Sequence, residues 1–364
     1  MDPSFEYIFP AIRGIQAKRE YYVSMCPLHL IPKIFLFDEE ELVPELRAQR
    51  ILNKSRVPEI ARYMSTGQDS YVFSAITASI DSDVRFEPIG SQSKANKVGS
   101  LHVPMSAKFI INDGQHRRAA IELALQENPN LGEETIAVVF FLDKGLERCQ
   151  QMFADLNRYA LRPSRSLSLL YDHRDEMAKI AKLSAIKSKA FRDVVEMEKS
   201  TLSARSRKLF TLSAIYTANS ALISGIDIES EDEKSSLIIA FWDEVAKHMP
   251  EWQQVRERKI SAGDVRQDFI HSHGVALHAI AKVGNDLIKQ FPKKWKSYLP
   301  KLTSIDWTRS NSKLWEGRAI SVGRVSKANQ SVLLTGNIIK RHLGLKLKPE
   351  EQAIEDAFLG GNNG

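Results

Sequence analysis

The segment best equipped for chemistry runs from Lys108 to Ile121 and reads KFIINDGQHRRAAI. Its apolar start predicts a strand, its end predicts a helix, and Gly114 lets the backbone turn tightly between them. Asp113 is placed to cap the helix, which would leave the backbone amides of Gln115 and His116 at its positive end. Because such an end favours bound anions, the turn is a candidate phosphate site.

Two side chains of this turn could take part in binding or catalysis. Arg117 could hold a phosphate through two hydrogen bonds, and His116 could donate a hydrogen bond or move a proton. If the site hydrolyses a phosphate ester, Asp113 is a candidate metal ligand. The pattern is equally compatible with an ordinary capped helix whose Arg117 and His116 face solvent or pair with Glu122.

The elements that must position this turn alternate between strand and helix patterns from Phe5 to about Leu161. Strands are expected within 21–37 and 71–80, a strand or hairpin within 101–111, and a strand within 136–142. The last is a continuous apolar run, which predicts an interior strand buried on both faces. A helix is expected to begin at Ser55 and to bury one face made of Val57, Ile60, Ala61 and Met64.

Beyond Pro163 the pattern becomes mainly helical. We therefore expect an α/β (α+β) core at 1–163, a helical, basic domain at 164–358 and a disordered tail at 359–364. Within Lys289–Lys348, fourteen Lys and Arg stand against only two acidic residues, a local charge of +12 in a chain of net charge +6. This asymmetry is typical of a surface that binds a polyanion, although a solvated face would look the same.

Composition excludes several classes of protein. With 43% hydrophobic and 26% charged residues, the chain has the profile of a folded protein rather than a disordered or collagen-like one. Its longest apolar run is far too short for a membrane span and its start lacks a signal region, so we expect a cytoplasmic protein without membrane contact.

Two cysteines cannot form a disulfide framework or a four-cysteine zinc site, and no metal site is expected. Cys26 precedes Pro27 at a strand interruption, where it is expected to be partly exposed. It is either a redox-active thiol or a passive packing residue.

Basic residues outside the turn are candidates for contacts with DNA phosphates. Arg158, Arg162 and Arg165 fall within one loop-to-helix segment, and such a cluster suits a phosphate track, unless each is paired with a nearby acid. The segment 179–208 alternates basic and apolar residues, as a DNA-facing or a solvated amphipathic helix would. Its last cations are Arg205, Arg207 and Lys208.

Asp113–Arg117 spells DGQHR, and the chain resembles the DGQHR-domain proteins that carry this motif. Further segments occur in order along nearly the whole chain: QRILN at 49–53, RVP at 56–58, QMFADLNR at 151–158, RPS at 162–164, WEGR at 315–318 and LTGN at 334–337. Through these segments the chain is similar in particular to the DndB family of bacterial DNA phosphorothioation gene clusters. The resemblance implies a ParB/sulfiredoxin-like mixed-sheet core whose Gly114–Arg117 turn binds nucleotide phosphates. By family position, Arg50 and Arg56 are candidate partners of the same site and candidate DNA-binding residues.

The resemblance implies a DNA-binding regulator, a repressor of the phosphorothioation operon that acts on double-stranded promoter DNA, rather than the sulfur-inserting enzyme. Sulfiredoxins carry a reactive Cys before the His-Arg pair, where this chain has Gln115, so their repair chemistry is not expected. Relatedness to ParB leaves open ATP hydrolysis or DNA nicking, with ATP or another nucleotide and Mg²⁺ as cofactor and Asp113, His116 and Arg117 as catalytic residues. A scaffold for other Dnd modification proteins is the third alternative, and a homo-oligomer is also open.

Overall fold

The computed structural model describes residues 5–35, 56–67, 69–90, 95–143, 146–158 and 163–361. The chain forms two compact units, Met1–Leu161 and Arg162–Gly364. The first contains a seven-stranded mixed sheet, the second is mainly helical, and each has its own hydrophobic core. The expected α+β fold class is therefore confirmed. Among the described residues, no helix combines the length and the apolar composition needed to cross a bilayer.

The first unit places helices around one large sheet. Its described strands are β1 (Glu6–Gln16), β2 (Arg19–Pro27), β3 (Ile76–Asp81), β4 (Arg85–Pro88), β5 (Val98–Pro104), β6 (Lys108–Asp113) and β7 (Thr135–Leu142). Its described α-helices are α1 (Ile31–Ile34), α2 (Arg56–Thr66), α3 (Gln115–Glu127) and α4 (Leu146–Arg158). The strand order is β4-β5-β1-β2-β7-β3-β6, in which β3 and β7 run parallel and all other neighbours run antiparallel.

The apolar run at 136–142 forms β7, which has a hydrogen-bonded strand on each side, so the predicted interior strand is confirmed. Its predicted burial on both faces is wrong. Ile136, Val138 and Phe140 are buried against residues of α1, α2 and α3, whereas the intervening side chains are half-buried. The reason is that alternate side chains of a strand point to opposite faces, and only one face of this strand is fully covered.

Three other predictions for this unit can be compared with the structure. The helix expected from Ser55 is α2, and its Ala61 and Met64 are buried. The strand expected at 71–80 begins only at Ile76, because 71–75 pairs with no other strand. Segment 101–111 contains two strands but no hairpin, since β5 pairs with β1 and β4 while β6 pairs with β3.

The second unit is built on helices with short strands between them. Its described α-helices are α5 (Arg165–Tyr171), α6 (Glu176–Lys187), α7 (Leu212–Ile223), α8 (Glu231–Ala246), α9 (Pro250–Arg256), α10 (Ala262–Asp268), α11 (Gly274–Gln290), α12 (Ser312–Trp315), α13 (Asn329–Leu343) and α14 (Pro349–Gly361). Its described strands are β8 (Val195–Glu196), β9 (Phe210–Thr211), β10 (Ile320–Ser321) and β11 (Arg324–Val325). Helix α11 has more buried residues than any other of these described helices and packs against both α7 and α13.

The segment 179–208 is not one amphipathic helix, which corrects the sequence-based prediction. Helix α6 ends at Lys187, and the chain then forms a loop in which Phe191 and Val194 are buried in the core. Asp243 fixes the start of this loop, since its Oδ1 accepts hydrogen bonds from Ser188 Oγ and from the backbone amide of Lys189. Burial of two apolar side chains therefore outweighs the helical periodicity.

The boundary predicted for the disordered tail, 359–364, is too early, because α14 continues to Gly361. Its last turns are held by Phe358, whose ring centroid lies 4.3 Å from the guanidinium carbon of Arg318. Residues 362–364 lie outside the described residues.

Candidate functional site

The turn predicted to bind phosphate lies where β6 meets α3. Asp113, the last residue of β6, pairs with Thr77 of β3, and α3 begins at Gln115. Gly114 has φ +113° and ψ 14°, and a Cβ there would lie 3.0 Å from Cγ1 of Ile76. This backbone conformation is rarely adopted by other residues, so the turn requires glycine for its conformation and for its close approach to β3.

Asp113 does not cap the helix, contrary to the prediction. Gly114 occupies the N-cap position, and no side chain caps α3. The Oδ2 atom of Asp113 instead accepts a 2.7 Å hydrogen bond from Nη2 of Arg117, which also donates to the carbonyl of Ala75 at 3.0 Å. The left-handed glycine thus directs the aspartate to a residue in the first turn of α3 rather than to the amides.

This pairing changes what Arg117 and Asp113 can do. The Arg117 side chain is only 19% exposed, and its buried Nε has no hydrogen-bond partner among the described residues. A phosphate at the turn would have to compete with Asp113 for the guanidinium. A magnesium ion does not fit this arrangement, because the carboxylate it would need is neutralised by Arg117.

His116 lies half-buried in the first turn of α3. Burial lowers its pKa, and the positive charges of Arg56 and Arg117 lower the pKa further. The imidazole is therefore neutral at pH 7 and can donate or accept a proton. Arg56 lies at the exposed start of α2, and its charge acts on His116, so the two residues are near one another.

The neighbours of His116 and Arg117 have structural roles. Gln115 is buried and its Nε2 donates to the carbonyl of Ile111 at 3.2 Å, so the residue has only its backbone amide left to offer an anion at the helix start. Arg118 donates to the carbonyl of Phe35 at 2.9 Å and forms an ion pair with Glu122. The sequence-based alternative, an arginine paired with Glu122, thus applies to Arg118 and not to Arg117.

A second basic site lies in the helical unit, on the segment 203–208, which we call the basic loop. Arg205 and Arg207 are exposed there, whereas Lys208 is half-buried and its Nζ donates to the carbonyl of Asp193 at 3.0 Å. Among the described residues, neither Arg205 nor Arg207 forms a hydrogen bond or ion pair through its side chain.

Arg266 of α10 holds the basic loop in place, and nothing in the sequence pattern pointed to it. Its Nη2 donates to the carbonyls of Ser203, at 2.7 Å, and Ala204, at 3.1 Å. Its Nη1 donates to the carbonyls of Ser206, at 3.1 Å, and Lys208. Four backbone acceptors on one guanidinium make the loop conformation specific.

A glycine supports the same contact. A Cβ on Gly263 of α10 would lie 2.5 Å from the carbonyl oxygen of Ala204, so only glycine lets the basic loop pack this closely on the helix. The loop is therefore packed as well as hydrogen-bonded.

Comparison with known proteins identifies the family. The family model of DndB, described as DNA-sulfur modification-associated, matches residues 9–346. The chain belongs to the DndB family. This membership associates it with DNA sulfur modification, and searches of curated proteins and of solved structures find no match.

Two segments that resemble DndB proteins have structural roles in this chain. Arg318 of the WEGR segment and Asn337 of the LTGN segment both donate to the buried carboxylate of Glu355 in α14. They therefore join separate parts of the helical unit through one buried acid.

The charge of Lys289–Lys348 is partly neutralised in the folded DndB-family chain. Four of its cations pair with acids outside the stretch: Arg318 and Arg341 with Glu355, Lys340 with Asp286 and Glu351, and Lys348 with Asp286. The +12 counted from sequence therefore overstates the charge that this stretch presents to a ligand.

The remaining candidates divide into described and undescribed residues. Arg165 begins α5, and its guanidinium carbon lies 5.7 Å from the ring centroid of Tyr216. Arg50, Arg162 and the side chain of Arg158 lie outside the described residues, so their predicted DNA contacts stay predictions. No group of three or more His, Cys, Asp or Glu that could hold a metal ion occurs in the described part of the chain.

The sequence-based prediction that Cys26 is partly exposed is wrong, because Cys26 is fully buried in the sheet core. Burial raises the pKa of its thiol to about 11, against a weaker opposing effect of the hydrogen bond to Ser24. Reactive thiols have lowered pKa values and access to solvent, so this environment is that of a packing residue.

Proposed function

We propose that this DndB-family chain is a DNA-binding negative regulator of the DNA phosphorothioation operon, which acts on double-stranded DNA of the operon promoter. The observation that carries the proposal is the basic loop, in which Arg266 fixes the backbone while Arg205 and Arg207 extend into solvent. Family membership supports a role linked to DNA sulfur modification.

The basic loop has the features of a preorganised phosphate contact. Arginine binds phosphate oxygens with two parallel hydrogen bonds, and its guanidinium must be free of competing carboxylates to do so. Arg205 and Arg207 meet this condition among the described residues. Because the loop is already held by Arg266, little conformational entropy is lost when DNA binds. Phosphate contacts of this kind position a protein on DNA, whereas base contacts provide sequence preference.

The test is fluorescence anisotropy with DNA from upstream of the operon and with shuffled DNA of equal length, at two salt concentrations. The proposal expects a preference for promoter DNA that survives the higher salt. In Arg205→Ala/Arg207→Ala, the slope of log affinity against log salt should fall by about 2, because each phosphate contact contributes about 0.9.

The control is Lys247→Ala/Lys259→Ala, which also removes two exposed cations, but ones already paired with Glu244 and Glu257. This control should bind DNA as the wild type does. Equal, salt-sensitive binding to both DNAs would contradict a promoter-specific regulator and would favour a nonspecific DNA enzyme or a scaffold for other modification proteins.

The DGQHR turn supports a second candidate function, hydrolysis of a nucleotide or a DNA phosphodiester. The favouring observation is His116, which is kept neutral by burial and by two adjacent arginines. A neutral imidazole could accept a proton from water, while Arg56 and the first amides of α3 stabilise negative charge on the phosphate.

This second function predicts that His116→Ala lowers ATP hydrolysis or DNA nicking by purified protein at least 100-fold, the usual contribution of general acid–base catalysis. His29→Ala, which changes a histidine outside the turn, is the control. Unchanged activity in His116→Ala would assign the hydrolysis to another site or to a contaminant.

A further inference from the structure

The helical unit contains a cavity of about 640 Å³ that belongs to neither the turn nor the basic loop. Its walls come from α7, α11 and α13, with contributions from the start of α5 and the first turns of α14. Cavities of roughly 300 to 1,000 Å³ are typical of small-molecule sites.

Small side chains make this space. Ser220 and Ala221 line the α7 wall, and Gly336 lines the α13 wall. A Cβ on Gly336 would meet only Cγ2 of Val283, at an ordinary contact distance of 3.8 Å. Gly336 therefore does not serve a close contact between helices, and the absence of a side chain there adds to the volume of the cavity.

The acidic residues along one side of the cavity are largely neutralised. Asp286 lies 2.5 Å from Nζ of Lys340 and 2.7 Å from Nζ of Lys348. Glu351 lies 2.6 Å from the same Nζ of Lys340. These groups form an ion-pair network, so that of the acids lining the cavity Glu350 alone lies outside it and has no ion pair with a described residue.

Other cations of the cavity lining have no acidic partner. Arg165 and Lys282 are exposed, line the cavity and form no ion pair with any described residue. Lys289 donates to the carbonyl of Ser224 at 2.6 Å, which leaves its charge uncompensated. Three cations on α5 and α11 thus line one space without an ion-pair partner among the described residues, against the single unpaired acid Glu350.

Hydrogen-bond acceptors complete the lining. Asn285 donates through Nδ2 to the carbonyls of Leu222 and Ser224, which fixes its amide and leaves Oδ1 as an acceptor. The hydroxyls of Thr217 and Ser220 donate to carbonyls of their own helix, so their lone pairs are also available. Acceptors of this kind bind hydroxyl groups of a ligand.

We propose that this cavity binds a phosphorylated, hydroxyl-bearing small molecule of nucleotide or sugar-phosphate size. Its phosphate lies between Arg165 and Lys282, and its hydroxyl groups are bound by Asn285 and the α7 hydroxyls. The proposal does not depend on DNA binding or on the DGQHR turn. It assigns the helical unit a ligand site of its own.

Isothermal titration of the full chain with AMP, glucose 6-phosphate, inorganic phosphate and adenosine tests this proposal. AMP or glucose 6-phosphate should bind, and adenosine should not, since it lacks the phosphate. Lys282→Ala should weaken binding about tenfold, the usual effect of removing one charged hydrogen bond. Gly336→Leu should abolish binding by filling the cavity without changing any charge.

Lys313→Ala is the matched control, since Lys313 is exposed, forms no ion pair with any described residue and lies outside the cavity lining. It should bind as the wild type does. Circular dichroism of Gly336→Leu would check that this variant folds. Lys282→Ala alters only an exposed side chain.

Three results would overturn the proposal. The first is the absence of binding of both organic phosphates. The second is binding of inorganic phosphate alone, which contradicts a ligand of the proposed size. The third is binding that survives Lys282→Ala and Gly336→Leu but is lost in Arg117→Ala, which would place the ligand at the DGQHR turn.

Discussion

Arg318 and Glu355 form a buried two-point ion pair in the helical unit. Nη1 of Arg318 lies 2.9 Å from Oε2 of Glu355, and Nη2 lies 2.7 Å from Oε1. The carboxylate also accepts hydrogen bonds from Asn337, at 3.0 Å, and lies 3.2 Å from Nη1 of Arg341. Burial alone would raise the pKa of Glu355, but these partners hold it below its usual range.

Removing this carboxylate should destabilise the protein strongly. Glu355→Ala leaves Arg318 buried without a counter-charge, and breaking a buried pair in this way costs about 3 to 5 kcal/mol. Urea unfolding measures the loss. Glu350→Ala, an exposed glutamate of the same helix, should change the free energy of unfolding by less than about 0.5 kcal/mol. Equal effects of the two substitutions would contradict this role of the ion pair.

His273 should make stability fall with acidification. Burial lowers its pKa to about 4, despite the hydrogen bond to the carbonyl of Arg266. In the unfolded chain His273 has an ordinary pKa of about 6.5, so below that pH the unfolded state binds more protons than the folded state. The stabilising contribution of neutral His273 is therefore complete above about pH 6.5 and is lost on acidification. At pH 5 the loss should be about 2 kcal/mol.

Unfolding free energies measured at pH 8 and pH 5 check this prediction. The fall in unfolding free energy between pH 8 and pH 5 should be smaller in His273→Gln than in the wild type. It should be unchanged in His173→Gln, which replaces an exposed histidine. An identical decline in both variants would mean that other groups control the acid response.

Gly114→Ala should destabilise the core more than Gly323→Ala does. Both glycines have positive φ, +113° and +71°, so each alanine strains the backbone by about 1 to 3 kcal/mol. Only at Gly114 does the new Cβ also meet side chains, at 3.0 Å from Ile76 and 3.1 Å from Arg117. Thermal unfolding compares the two variants, and a larger loss in Gly323→Ala would contradict the close approach at the DGQHR turn.

Arg266→Ala should loosen the basic loop. Carbonyls at both ends of the loop lose their shared donor, so trypsin should cleave after Arg205 and Arg207 several times faster than in the wild type. DNA affinity should fall as well, even though the guanidinium of Arg266 is hydrogen-bonded to backbone carbonyls of the basic loop. Arg192→Ala removes an exposed cation from the same region and should leave the cleavage rate unchanged. Loss of affinity without faster cleavage would mean that Arg266 contacts DNA directly.

Cys26 should be inert towards thiol reagents in the folded protein. Its thiol is buried and its pKa is raised to about 11, so almost no thiolate exists at pH 8. In Cys149→Ser, which leaves Cys26 as the sole cysteine, DTNB should react only after denaturant is added. Rapid reaction without denaturant would restore the redox alternative.

The sequence allowed prediction of those features that depend on neighbouring residues. The apolar run of β7, the periodic face of α2 and the glycine turn before α3 each follow from local pattern, since strand, helix and turn preferences act over a few positions. The role of Asp113 was missed because capping and pairing with Arg117 use the same side chain. Only the left-handed conformation of Gly114 decides between them.

The sequence by itself determined the fold class, the family and the position of the DGQHR turn, because these follow from local periodicity and ordered motifs. The tertiary structure alone decided which cations are available to a ligand. Arg318 meets Glu355 across 37 positions, and Arg266 meets Ser203 across 63. Partners so distant in sequence are selected by the packing of helices, so a count of charges cannot distinguish the bound arginines from those exposed on the basic loop.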